Sequence, residues 1–337
     1  MPTVNSNSGA STPIVLTPQT APRLCALQLI LERVAQLAQH EAGTRDGEDI
    51  EALHDMRVAS RRLREALEIF QFCFLPKVYD RLYERTRRVT RALGHARNAD
   101  VAVAYFAGLL PDSGDLVEQV ALQDILRRLA KQQKSRRAAM QSELDKVKPS
   151  TLPSRFEKAF DMPRQNSSAR WRGPRTALTL ARRLFAQRLR EVFACHRAIA
   201  GEDDVAGLHK LRIVVKKLRY AIETLDFAAG ENAKENLRFF KKLQTVLGDL
   251  HDCDVFIEMA RKRANKLQKQ AFAAHLQNGY QMVLAKIAVQ RRNFYADYFK
   301  LFGHAKIQEW RTLVVPPPPP KIFKQTLTPT ELEIPLN

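Results

Sequence analysis

From about residue 22 to residue 302 the apolar side chains recur at three- and four-residue spacings, and runs of alternating apolar and polar residues are scarce. This pattern predicts an all-α chain. Glycine and proline punctuation divides it into helices near 22–42, 48–74, 77–93, 98–109 and 113–148, then near 174–200, 203–228, 232–248, 252–263 and 265–302. The order of five recurs, so 22–148 reads as a first helical half and 174–302 as a second. Residues 149–173, with Pro149, Pro153, Pro163 and Gly173, have the composition of a linker. Residues 1–21 read as a disordered tail, and 303–337 as a second tail built around the polyproline run Pro316 to Pro320.

One helix is written twice. LHDMRVASRRLREALEIF starts at Leu53 and LHKLRIVVKKLRYAIETL at Leu208; a histidine opens each, followed by cations at the third, seventh, eighth and tenth positions after it and a glutamate at the fourteenth. At about 100° per residue, Met56, Ala59, Leu63, Ala66, Leu67 and Phe70 form a core stripe. His54, Arg57, Arg61, Arg64 and Glu68 share the opposite face. In the second copy Leu211, Leu218, Ile222 and Leu225 face the core, and His209, Arg212, Lys216, Arg219 and Glu223 face away. Arg62 and Lys217 lie further round, at the rim or toward water. Each basic row is on the order of 15 Å long at about 1.5 Å per residue, which suits a string of anions. For either helix alone the alternative is a solvated basic face, with Glu68 and Glu223 as i,i+4 partners of Arg64 and Arg219. For His54 and His209 it is a structural histidine near a helix start. Repetition in register argues for a ligand.

A second matched pair is RALGHARNADV from Arg91 and TVLGDLHDCDV from Thr245. An offset of 155 residues carries His54 onto His209, and one of 154 carries Gly94 onto Gly248. Each LG segment reads as a helix end and a new start, with Gly94 and Gly248 in the left-handed position, Asn98 and Asp252 as N-caps, and Asp100 and Asp254 in the first turn. Arg97 and His251 occupy equivalent positions beside that turn as candidate ligands. Arg88 and Lys242, beside the core stripe of the preceding helix, are weaker candidates; Arg87 and Lys241 read as solvated.

Charge then narrows the partner class. A formal net charge of +19 over 337 residues exceeds what solubility requires, and makes a polyanion the default partner: nucleic acid, polyphosphate or an anionic membrane. Cys25, Cys73, Cys195 and Cys253 lack CxxC spacing and read as buried thiols of a reducing compartment, with neither a disulfide framework nor a zinc site. No apolar run reaches the roughly 18–20 residues of a membrane span, so a cytoplasmic protein is expected. No glycine precedes a lysine, which removes a P-loop, and GxSxG and HExxH are absent. No cofactor or metal is implied.

Taken together, H-x-x-R-x-x-x-[RK]-[RK]-x-[RK] followed some forty residues on by L-G-x-x-x-[ND]-x-D, twice over, resembles the CHAD domain, the conserved histidine α-helical domain. His54, Arg57, Arg61, Arg62 and Arg64 match its motif once, and His209, Arg212, Lys216, Lys217 and Arg219 match it again. The resemblance implies two pseudo-symmetric helical bundles whose basic helices line a shared cavity, and non-catalytic binding of inorganic polyphosphate there. It also implies association with polyphosphate or polyhydroxyalkanoate granules. Arg97-Asn98 and His251-Asp252 stand where the family usually has Arg-Asp. Glu331 and Glu333 imitate the acids of the ExExK strand of the neighbouring triphosphate-tunnel domain that many members carry, but no lysine follows. Nucleic-acid binding and phosphoryl transfer through a phosphohistidine are the competing functions, and the aromatic run from Phe294 to Phe302 would serve a granule coat if it were exposed.

Overall fold

The protein is described here by a computed structural model covering residues 15–47, 50–161, 173–229, 233–268 and 274–302. Ten α-helices follow one another among the described residues: α1 (Pro22–Gln39), α2 (Glu41–Asp46), α3 (Ile50–Ile69), α4 (Pro76–Gly108), α5 (Leu116–Val147), α6 (Leu152–Asp161), α7 (Ala177–Arg197), α8 (Val205–Thr224), α9 (Ala233–Leu267) and α10 (Ala274–Leu301). Pro22 and Pro76 open α1 and α4, where the missing N–H has no intrahelical partner to lose. Asp115, Thr176 and Asp204 cap α5, α7 and α8 by accepting backbone N–H groups of the first turn. The all-α expectation holds, and α1, α3, α4 and α5 recur in order and approximate length as α7, α8, α9 and α10.

Three expectations are corrected. The LG segments do not break a helix: 77–93 and 98–109 are one helix, α4, and 232–248 and 252–263 are likewise one, α9. Gly94 and Gly248 therefore lie in helix interiors without positive φ, and Asn98 and Asp252 cap nothing. Flanking helical residues with apolar i,i+3/i+4 spacing carry the helix through a glycine that costs only about 1 kcal/mol relative to alanine. The helix expected at 22–42 divides at His40 into α1 and α2. The expected linker begins with a 3-10 turn and then α6, whose Leu152, Phe156 and Phe160 are buried, because one apolar stripe at i, i+4, i+8 pays for docking against α1. Residues 162–172 of that linker, the tail to residue 14 and everything after 302, including Pro316 to Pro320, Glu331 and Glu333, lie outside the described residues.

The core joins the halves. One cluster takes Met56, Leu63 and Leu67 from α3, Phe70 just after it, Leu211, Leu218 and Ile222 from α8, and neighbours from α1, α6 and α7. Met56, Leu63, Leu67 and Phe70 are fully buried, each contributing roughly 1.5–3 kcal/mol of transfer free energy. A second cluster holds the far ends of α4 and α9 against α5 and α10. There Gly279 of α10 passes so close to the Val117 carbonyl that a Cβ would collide with backbone, which explains that glycine. Tyr298 and Phe302 are buried and Phe294, Tyr295 and Leu301 pack partly into the core, leaving Phe299 as the exposed member of that aromatic run. Among the described residues no helix is long and apolar enough to cross a membrane. Cys25, Cys73 and Cys253 are buried, whereas Cys195 is half-buried.

Candidate functional site: two basic rows on adjoining helices

The core stripes of α3 and α8 place these helices side by side, so their opposite faces bring the two basic rows together. The outer members are tied by reciprocal ion pairs. Arg62 lies 3.7 Å from Glu223, and Lys217 lies 3.7 Å from Glu68, each cation reaching the glutamate of the other helix. Glu68 also faces Arg64 at 3.8 Å and accepts from the Tyr83 hydroxyl at 2.7 Å; Glu223 accepts from Arg219 at 3.1 Å. Arg219 further donates from Nε to Gln244 at 2.7 Å and stacks over the Tyr220 ring. The expected i,i+4 pairs are therefore present, and they restrain the rim of the site.

The inner members have no such neutralisation. Arg57, Arg61, Arg97, Arg212 and Lys216 take part in none of the ion pairs among the described residues, and the buried Nε of Arg57 has no hydrogen-bond partner. Their fields overlap. Burial, then Arg61, with Arg212 and Arg97 adding, draws the Arg57 guanidinium down to about 10. Burial also lowers Arg212, against the pull of Asp252 and with the push of Arg61. Burial, followed by Arg61, Arg64 and Arg212, brings the Lys216 ammonium down to about 8. Cations from α3, α4 and α8 thus repel one another in a partly desolvated space, an arrangement that an anion would relieve. Asp252 of α9 is an acid that interacts with three of these cations; burial raises its pKa even though Arg212, Arg57 and Arg61 oppose the rise.

The histidines differ between halves. Nδ1 of His209 lies 3.2 Å from Nδ1 of His251, and both line a groove of about 680 Å³ with Asp254, Glu258, Arg261 and Lys262. Burial, then Arg212 and His209, presses His251 down to about 4; burial, then Arg212 and Lys216, lowers His209. At neutral pH the pair is uncharged and one ring donates to the other. His54 is half-buried on α3 and has no counterpart to this pair, since Arg97 stands where the second half has His251. Among the described residues no group of three or more His, Cys, Asp or Glu could hold a metal ion.

Two candidates fall elsewhere. Arg88 is bound to Glu143 of α5 in a separate pocket, and Lys242 is exposed on α9 outside the described contacts of the cluster. Arg87 pairs with Glu84, and Lys241 approaches Glu223 at 3.9 Å.

Four arginines that the motif reading passed over position the rows. Arg33 of α1 donates to the Arg62 carbonyl at 3.4 Å, and Arg188 of α7 to the Lys217 carbonyl while also pairing with buried Glu65. Arg137 of α5 pairs with Asp100 at 3.5 Å and reaches the Gly47 carbonyl, just before α3; Arg291 of α10 pairs with Asp254 at 2.6 Å and reaches the Glu202 carbonyl, just before α8. Asp100 and Asp254 are thus anchors for these arginines rather than helix-start acids. The signal was available: the offset of 155 carries Arg33 onto Arg188, and that of 154 carries Arg137 onto Arg291.

Comparison with known proteins agrees with this architecture. The fold is similar to the crystal structure of the CHAD domain from the plant Ricinus communis, at 21% identity, with 86% of this chain and 93% of that one covered and a TM-score of 0.64. It is also similar to PptA from Streptomyces chartreusis, at 11% identity, with coverage of 84% and 99% and a TM-score of 0.64. No curated protein matches. The family model for the CHAD domain matches residues 28–261, more than half of the sequence and both copies of the basic helix. The chain belongs to the CHAD domain family.

Proposed function

We propose that this protein binds inorganic polyphosphate without catalysis, in the space between the basic rows of α3 and α8. One observation carries the reading: Arg57, Arg61, Arg212 and Lys216 converge from two helices and lack partner carboxylates at ion-pair distance, and burial together with the charge of Arg61 lowers the pKa values of Arg57, Arg212 and Lys216. A linear polyanion with a charge on each unit satisfies such a row by many charge-assisted bonds and releases its counterions on binding. The arginines fork two donors toward phosphate oxygens, and Lys216 acts as a compact point charge. His209 and His251 donate at the end of the row, toward the groove they line.

Nucleic acid is the weaker candidate because Tyr220, the tyrosine that interacts electrostatically with Arg57 and Arg212, is 5% exposed and already carries Arg219 on its face, so it offers no platform for a base. Binding of this kind fits a role in targeting to, or organising, polyphosphate granules in the cytoplasm. Calorimetric titration with polyphosphate tests it. Arg57→Ala combined with Arg212→Ala is expected to abolish the tight phase, and unchanged affinity would remove the site. Covalent label or chain shortening after incubation with radiolabelled polyphosphate would overturn the non-catalytic part.

A further inference from the structure

The outer face of α4 carries a second basic track, distinct from the rows of α3 and α8. Residues 81, 85, 88, 92 and 95 fall within about 80° of one another on a helix turning about 100° per residue, and span about 21 Å. Two pockets open along this stripe. The first, about 230 Å³, is lined by Arg81 and Arg85 of α4 and by Arg155 and Lys158 of α6. The second, about 290 Å³, is lined by Arg88, Arg91 and His95 of α4 and Arg136 of α5, over a floor of Ala92, Ala139 and Met140. Glu143, held by Arg88, is the one carboxylate lining either pocket, against seven arginines and lysines. His95 is near enough to Arg136 and Arg91 for both to add to the burial that lowers its pKa.

The duplication supplies an internal control. The offset of 154 carries Arg81, Arg85, Arg91 and Arg136 onto Glu235, Phe239, Thr245 and Gln290, and His95 onto Asp249, while Arg88, alone of the α4 and α5 arginines lining the two pockets, keeps its charge, as Lys242. A cavity of about 450 Å³ overlaps the corresponding place, between α9, α10 and Tyr105 of α4, but its α9 and α10 lining includes Asp249, Asp252, Phe256, Gln290 and Phe294. The same architecture folds with acids and aromatics in one half and cations in the other. The cations of the first half are therefore not a requirement of the fold, and their cost in mutual repulsion needs another explanation.

We propose that the α4 track is a second anion-binding site, taking a phosphate chain independently of the site between α3 and α8. The lining holds no Phe, Tyr or Trp ring, which favours successive phosphates over nucleobases. Two separate sites on one protein let it hold two chains, or two stretches of one chain, and so cross-link polyphosphate rather than merely coat it. This assignment shares its ligand class with the proposed function but rests on different residues.

The test is calorimetry of the full chain with tripolyphosphate. Wild type is expected to bind two per chain. Arg81→Gln, Arg85→Gln, Arg91→Gln and Arg136→Gln together should reduce that to one and leave the other phase unchanged. Arg57→Gln with Arg212→Gln should leave the track phase alone. The four positions changed to lysine should keep both phases, which separates lost charge from lost folding. Two sites persisting in the glutamine variant would overturn the assignment, as would a single site abolished by the Arg57/Arg212 pair. A single site abolished by the α4 variant would instead sustain the track and remove the α3–α8 reading. A track that binds single-stranded RNA but not tripolyphosphate would overturn the phosphate-chain assignment.

Discussion

Lys216→Met separates the stability of this protein from its binding function. Lys216 sits among Arg61, Arg64 and Arg212, and its pKa falls from 10.5 to about 8. At about 1.4 kcal/mol per pKa unit this is a penalty of about 3 kcal/mol on the charged form in the folded protein. The folded state binds fewer protons than the unfolded state between pH 8 and 10.5, so this lysine makes stability rise with pH across that window. At pH 7, below both values, the whole penalty is present. Methionine keeps most of the apolar stem and removes the charge, so the ligand-free variant should be more stable at pH 7 by about 1–3 kcal/mol. At roughly 2 °C per kcal/mol for a chain of this size, its Tm should rise by about 2–6 °C. The advantage should shrink by pH 10, because the wild-type lysine has by then largely lost its proton. Polyphosphate affinity should fall about tenfold, the loss of one charge-assisted contact. Scanning calorimetry at pH 7 and 10 without ligand, paired with polyphosphate titration at pH 7, reads both effects. A lower ligand-free Tm, or a higher Tm with wild-type affinity, would refute the claim that the cluster is held strained for an anion.

Other consequences are accessible to similar measurements. Arg291→Ala removes a buried guanidinium 2.6 Å from Asp254 and should cost about 3–5 kcal/mol in denaturant unfolding, whereas Arg137→Ala removes one that is 32% exposed and 3.5 Å from Asp100, which keeps its bond from Gln133, and should cost clearly less; equal costs would contradict this argument. Gly94→Ala and Gly248→Ala meet no atom within 4 Å and should each stabilise the ligand-free protein by about 0.5–1 kcal/mol, while destabilisation would restore the helix-end reading. His209 and His251 are held below the usual histidine range, so a bound polyanion should raise both and draw protons onto the complex; affinity should increase as pH falls from 7 toward 5, and His251→Asn should flatten that profile.

Periodicity was enough to find the core stripe of α3 and its partner on α8, because both helices bury one face along their whole length. The wheel also separated Arg57, Arg61, Arg212 and Lys216 from the core, and the structure brings them together. It could not say which cations stay unpaired. Arg64 and Arg219 share the predicted face yet are engaged by Glu68 and Glu223, and Arg88 is claimed by Glu143 from a helix 55 residues away in sequence. Glycine misled for a related reason: at Gly94 the local signal of a helix end is weaker than the tertiary packing that carries α4 past it, with Leu93 and Ala96 both buried. Arg33, Arg137, Arg188 and Arg291 each lie among ordinary polar positions outside the two motifs, and only extending the offset beyond those motifs exposes them. The proline spacing at 149–163 concealed α6, whose apolar stripe of three side chains is too short to stand out by period alone.

The central claim is that two repeated rows form one site, and a double-mutant cycle on the tight phase of polyphosphate binding tests it most directly. Wild type, Arg57→Gln, Arg212→Gln and the double variant are titrated at several salt concentrations. If the residues share one bound chain, each single variant should weaken that phase without changing its stoichiometry, the salt slope should fall by about 0.7–0.9 per lost contact, and the two losses should be non-additive because each arginine feels the field of the other. Additive losses, with each single variant removing a different bound chain, would contradict the shared site and leave two independent basic helices.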